Sequence, residues 1–125
     1  INGSDFPTAD GTCVRDYVHV QDLARAHVLA VDLFEKQKAN QTFNLGAGSG
    51  GVSVNELVST AARIIGKTPT VVYEGRRAGD PAQLVADISK AAVILDWIPK
   101  YGILETVAHA WDWEKTKEIY FEAGK

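Results

Sequence analysis

Residues 42–66 constrain the fold more tightly than any other stretch. Thr42-Phe43-Asn44-Leu45 reads as a strand, Gly46-Ala47-Gly48-Ser49-Gly50-Gly51 as a turn, and Val54 to Ile65 as a helix. Ser53 and Glu56 are spaced as a capping box, in which hydroxyl and carboxylate each satisfy a backbone N–H that the first helical turn leaves unpaired. Gly66 suits the left-handed residue that stops a helix. Strand, turn and capped helix in such short order are the currency of an α/β fold.

The flanking sequence is compatible with that class. Gly3 to Thr12 is turn-rich, with Pro7, Asp10 and Gly11 breaking any regular element, and Val18 to Val20 reads either as a short strand or as the lead into a helix. A helix is expected from about Gln21 to Lys36, with Leu23, Ala26, Ala30, Leu33 and Phe34 at helical spacing and a wetter opposite face. Asp22 in its first turn and Lys36 and Lys38 near its end complement the helix dipole. Thr70 to Tyr73 reads as a short buried strand. Asp87 is the expected cap of a helix through Leu95, ended by the stretch around Pro99. A last helix from about Leu104 to Tyr120 sets Leu104, Val107, Ala108, Trp111 and Lys115 along one side, with Trp113 and Tyr120 elsewhere; the tryptophans read as packing rather than as a base-stacking platform.

After the strand at 70–73 comes Arg76-Arg77-Ala78-Gly79-Asp80-Pro81. Arginine presents a planar, permanently charged fork that fits phosphate oxygens, and a nearby carboxylate can accept hydrogen bonds from a ribose or a base. Gly75 and Gly79 bracket the pair and let the backbone turn close to a ligand. Taken alone, the pair reads equally as two solvated surface charges. A further arginine stands in the phrase Gly11-Thr12-Cys13-Val14-Arg15-Asp16-Tyr17-Val18-His19-Val20.

Any anion site must be local, because the formal net charge is -3 and such a balance argues against a general nucleic-acid or anionic-membrane surface. Cys13 is the only cysteine, so no internal disulfide can form, and one thiol with three scattered histidines makes no metal set. No signal peptide or membrane-length apolar run occurs, and a cytoplasmic location follows by default. His19, His27 and His109 read as structural or surface residues rather than bases. No G-x-S-x-G elbow or H-E-x-x-H pair is present. Residues 46–51 do spell G-x-G-x-x-G between strand and helix, the outline of a dinucleotide fingerprint, but the capping box starts the helix two residues past the last glycine, and Glu74 is too far along to serve as the ribose carboxylate.

Asp5-Phe6-Pro7-Thr8, Asp10 through Val20, Asp22-Leu23-Ala24, His27-Val28, Phe43-Asn44-Leu45-Gly46, Arg76 through Asp80 and Ala86-Asp87-Ile88-Ser89-Lys90-Ala91 occur in order along nearly the whole chain. Together they resemble the C-terminal part of the UDP-glucose 4-epimerase family, within the extended short-chain dehydrogenases/reductases. The resemblance implies an α/β substrate-binding part, a small mixed sheet with flanking helices, spanning residues 1–125, with the N-terminal Rossmann region absent. It implies NAD as cofactor, bound mainly by that absent region, and a UDP-sugar as substrate, with no nucleic-acid or membrane partner and a homodimeric parent protein.

In that family a tyrosine of a Y-x-x-x-K pair takes the sugar 4-OH proton while NAD takes the C4 hydride. The 4-keto sugar turns over, and hydride returns to its other face. Such a mechanism needs a firm grip on UDP and a loose one on the sugar. Carried over by position, Arg15 and Arg77 are implied to hold the pyrophosphate, Asp80 the uridine ribose, Tyr17 to lie near pyrophosphate and nucleoside, Val54 to line the base pocket and Leu84 to tune the sugar pocket. The sequence has no Y-x-x-x-K and no G-x-x-G-x-x-G opening, so no catalytic residue is assigned within it.

The chain has no Met, the first residue included, and reads as a piece. Its segment from about Val18 to Gly46 is implied to pack on the missing Rossmann sheet, so the piece alone is expected to be inactive and weakly stable. Three alternatives are carried: a 4-epimerase for UDP-N-acetylhexosamines, UDP-pentoses or UDP-uronates; a non-catalytic nucleotide-binding or interaction module; and a freestanding NAD domain using residues 46–51.

Overall fold

The computed structural model describes residues 1–38 and 40–122, with side chains as far as Lys117. In chain order the elements are β1 (Val14–Arg15), α1 (Val20–Gln37), β2 (Val52–Ser53), α2 (Val54–Ile65), β3 (Gln83–Leu84), α3 (Ser89–Leu95) and α4 (Ile103–Glu122). The strands form one mixed sheet ordered β2-β1-β3, β1 antiparallel to β2 and parallel to β3. The small mixed sheet with flanking helices is therefore as expected.

Capping chemistry fixes the helices. Ser53 Oγ accepts the N–H of Glu56 at 3.0 Å and donates to Asp10 Oδ2, while Gly66, at φ 74°, closes α2. His19 caps α1, its Nδ1 accepting the N–H of Gln21 at 3.0 Å. That bond leaves the neutral ring its proton on Nε2, directed at His109 Nδ1 3.0 Å away, and the ring stacks on Tyr101. α3 begins two residues beyond the expected cap, although Asp87 Oδ1 does accept the N–H of Ser89 at 2.9 Å.

The core lies between α1 and α3. Ala26, Ala91, Leu95 and Trp97 are buried there, with Val18, Leu29, Leu33, Phe43 and Leu45 packed around them. Trp97 is wholly buried, and its indole N–H donates to Asp22 O at 2.9 Å. The Asp22 carboxylate is also buried and receives the N–H of Lys100 (2.9 and 3.0 Å), the N–H of Tyr101 (3.1 Å) and Arg25 Nη2 (2.8 Å). Burial alone would raise this carboxyl, but the bonds from Arg25, Tyr101 and Lys100 outweigh it and hold the group below its ordinary range.

Several expectations need correction. Residues 42–45 form no strand; Phe43 and Leu45 instead pack on the core, and Lys90 Nζ bonds Thr42 O at 2.9 Å. Residues 70–73 form none either, apart from an isolated parallel bridge between Asn2 and Glu74. A strand exists only through its neighbour's backbone groups: residues 42–45 have no described backbone ladder, and residues 72–74 meet only residues 1–3, with Ile1 N donating to Val72 O, Glu74 N to Ile1 O and Gly3 N to Glu74 O. The outer face of α1 is mixed rather than simply polar: Val20, Val28, Val31 and Phe34 are exposed along it beside Gln21, His27, Asp32 and Glu35. On α4, Leu104 is exposed rather than packed, Lys115 is tied to Asp112 at 2.7 Å, and Tyr120 lies outside the described side chains. No helix among the described residues is long and apolar enough to cross a membrane.

Candidate functional site

The adjacent arginines part company. Arg76 turns inward: its Nε donates to Asp5 Oδ1 at 2.7 Å, its Nη2 to Asp5 O, and its guanidinium lies 4.3 Å from the centre of the buried Phe6 ring. Arg77 turns outward, its side chain 68% exposed, and makes one bond of 3.2 Å from Nε to Asp80 Oδ2. The other oxygen of Asp80 stands 3.6 Å from Arg15 Nη2. One carboxylate thus lies between two guanidiniums brought together from distant parts of the chain. Arg15 does not pair with Asp16 or Asp22, the partners a purely structural role would have suggested; its Nη1 donates instead to Pro81 O at 2.9 Å and to Val14 O at 2.8 Å.

The sheet carries the group onward. Arg15 is the register partner of Leu84 in the parallel pair and of Val52 in the antiparallel pair. Arg15 and Leu84 share a cavity of about 390 Å³ with Asp16, Asn44 and residues 85–87. Leu84 is 62% exposed at its edge.

The remaining residues singled out in the sequence are placed less directly. Tyr17 is partly buried; burial and the neighbouring Cys13 push its hydroxyl above the ordinary range, and Arg15 offsets part of that rise. Val54 opens α2 with its N–H bonded to Cys13 O at 3.1 Å and does not line the cavity holding Arg15 and Leu84. So Arg15, Arg77, Asp80 and Leu84 form one connected group, and neither Tyr17 nor Val54 is joined to it by a described side-chain contact.

The sequence reading passed over Asp16. Its Oδ1 accepts the N–H of Ala47 at 2.6 Å and its Oδ2 the N–H of Ala86 at 3.0 Å. A methyl group on Gly46 would stand 2.1 Å from Oδ2, so this position admits only glycine while the carboxylate stays. Asp10 was also passed over. Burial would raise it, but bonds from Ser53 and Thr12 prevail and keep it low. Asp16 has no local sequence signal, since both its partners are distant in the chain, whereas Asp10 accepts from Thr12 two residues on, an Asx turn that the Asp-Gly-Thr order does signal.

The glycine run does not make a dinucleotide cradle. At Gly51, a Cβ would lie 2.6 Å from Val14 and 2.7 Å from Val85, so side chains of this protein already occupy that approach. The first turn of α2 is likewise capped by Ser53. These residues do not fit NAD. No group of His, Cys, Asp or Glu suited to a metal ion occurs among the described residues.

Comparison with known proteins agrees with the resemblance. The model of the NAD dependent epimerase/dehydratase family matches residues 3–46. A UDP-glucose 4-epimerase of Halalkalibacterium halodurans is 47% identical over 116 residues, 92% of this chain and 34% of that protein. Among solved structures, a UDP-glucose 4-epimerase from Stenotrophomonas maltophila with bound NAD and formylated UDP-arabinopyranose superposes with a TM-score of 0.88 at 38% identity, over 96% of this chain and 35% of that one. The enzyme from Bifidobacterium longum, in complex with NAD+ and UDP, gives 0.82 at 35% identity, over 93% and 34%. The chain spans about a third of the length of the relatives it matches.

Proposed function

Since this chain belongs with the UDP-glucose 4-epimerases and spans about a third of one, we propose that it is the UDP-sugar-binding part of a longer NAD-dependent enzyme that interconverts UDP-glucose and UDP-galactose. The observation that carries the reading is the group Arg15, Asp80 and Arg77 beside a cavity edged by Leu84. Two guanidiniums flanking one carboxylate suit a pyrophosphate next to a ribose: the forks take phosphate oxygens, and Asp80 accepts from ribose hydroxyls. Tyr17 and Val54 complete the nucleoside side and Leu84 the sugar side. Hydride transfer and proton abstraction belong to residues outside this chain, and no step of either is assigned to these side chains.

The second face of α1 supports a division of labour. Ala26, Leu29 and Leu33 face the core of this unit, while Val20, Val28, Val31 and Phe34 form an apolar stripe on the opposite side. A helix that is apolar on two faces is suited to burial between two layers. Residues 18–46 accordingly pack on an N-terminal Rossmann region in the longer protein. That protein is cytoplasmic and forms a homodimer through elements outside this chain.

The test is calorimetric titration of UDP into the full-length protein and its Arg77→Ala variant, with epimerase assays of the full-length protein and of the 125-residue chain. Each charged hydrogen bond contributes about 1.5–3 kcal/mol, so the variant should bind UDP at least about tenfold more weakly. The isolated chain should show no epimerase activity. Failure of the full-length protein to bind UDP, or turnover by the isolated chain, would overturn the reading.

A further inference from the structure

The cavity lined by Arg15 and Asp16 takes Asn44 from one distant segment, residues 44–47, and residues 84–87 from another, and no backbone hydrogen bond is described between those two segments. The Asp16 carboxylate holds them together. One oxygen accepts the N–H of Ala47 and the other the N–H of Ala86, across 31 and 70 residues of sequence. A methyl group on Gly46 would meet both this carboxylate, at 2.1 Å, and the Ala86 methyl, at 3.0 Å, so the first segment comes this close to the second only with glycine there. Leu84 is held by its register with Arg15 in the sheet, and the Asp16 carboxylate ties the segment that carries Asn44, the residue lining the cavity from the other segment, to this edge.

The nucleotide-gripping group is fastened differently. Arg15 is held by Val14 O, Pro81 O and Asp80, and Arg77 by Asp80 alone. None of these bonds involves Asp16. We infer that Asp16 is a positioning residue, which fixes the width of the sugar-side cavity between Asn44 and Leu84 independently of the grip on the nucleotide. The inference rests on the function proposed above. A side chain that spaces two walls controls how the reacting sugar is presented while leaving the affinity for the anchoring UDP intact, and misplacement of about 1 Å is enough to cost a large factor in rate.

The discriminating experiment uses the full-length protein with Asp16→Asn and Asp16→Ala. Asparagine keeps one acceptor oxygen and turns an NH2 toward the other backbone N–H, releasing one wall; alanine releases both. Backbone amide exchange at Ala47 and Ala86 reports the release. In both variants UDP affinity should stay within about threefold while kcat on UDP-glucose falls about tenfold or more, with the alanine variant slower than the asparagine variant. Equal losses in kcat and UDP affinity would make Asp16 a general structural residue and overturn the inference. So would undiminished kcat with both amides exposed. If the unsubstituted protein neither binds UDP nor turns over UDP-glucose, the functional reading itself has failed and the inference falls with it.

Discussion

Arg76 and Arg77 are neighbours in sequence that turn opposite ways, and replacing each in turn tests whether stability and binding separate. Arg76 pairs with Asp5, whose side chain is 74% exposed, so that contact contributes only about 0.2–1 kcal/mol. Its stacking over Phe6 adds about 0.5–1 kcal/mol. Arg76→Ala should therefore cost the fold about 1–2 kcal/mol and expose the Phe6 ring, which is now only 4% accessible. Arg77 makes one 3.2 Å contact from a side chain 68% exposed, so Arg77→Ala should change stability by less than about 0.5 kcal/mol. For UDP the order reverses: Arg77→Ala loses about 1.5–3 kcal/mol of charged hydrogen bonding, and Arg76→Ala leaves affinity within about threefold. Urea midpoints and UDP titrations of the two full-length variants give all four numbers. If Arg76→Ala weakens UDP tenfold at an unchanged midpoint, or Arg77→Ala lowers the midpoint and spares affinity, the division of roles is wrong.

Asp22→Ala should be among the most damaging substitutions, costing about 3 kcal/mol by urea unfolding, because the partly buried N–H groups of Lys100 and Tyr101 and the Arg25 guanidinium lose their buried acceptor together. Its folded carboxyl titrates below the unfolded value, so its contribution is present above about pH 4 and disappears as pH falls through the folded value; the variant should show a shallower acid decline. Val31→Asp puts a charge on the outer stripe of α1. It should leave the isolated chain's midpoint unchanged within about 0.5 kcal/mol but destabilise the full-length protein by more than about 2 kcal/mol, and equal effects in both would rule out that face as a buried contact.

What could be read from sequence was what local chemistry decides. α2 starts after Ser53 and stops at Gly66 because a hydroxyl and a backbone conformation act within a few residues. The strand expectations at 42–45 and 70–73 failed because strand formation depends on a neighbour, and residue order does not say whether one is present. The sheet that does form is built from residue pairs at 14–15, 52–53 and 83–84, too short to carry an alternating pattern. In the site, the resemblance supplied Arg15, Arg77, Asp80 and Leu84, which the fold joins. Residue type alone does not distinguish Arg76 from Arg77, whose opposite orientations the fold sets, and Asp16 has no local signal because both its partners are main-chain groups far along the chain.

The burial of Trp97 gives the molecule an optical label of its own. Its indole is fully shielded and anchored to a helix carbonyl, whereas Trp113 is 51% exposed on α4. Iodide should reach the second and not the first, leaving a fraction of the emission unquenched and blue-shifted for as long as α1 and α3 stay together. The loss of that protected fraction reports the opening of the core directly, without an added dye and whether or not any ligand is bound.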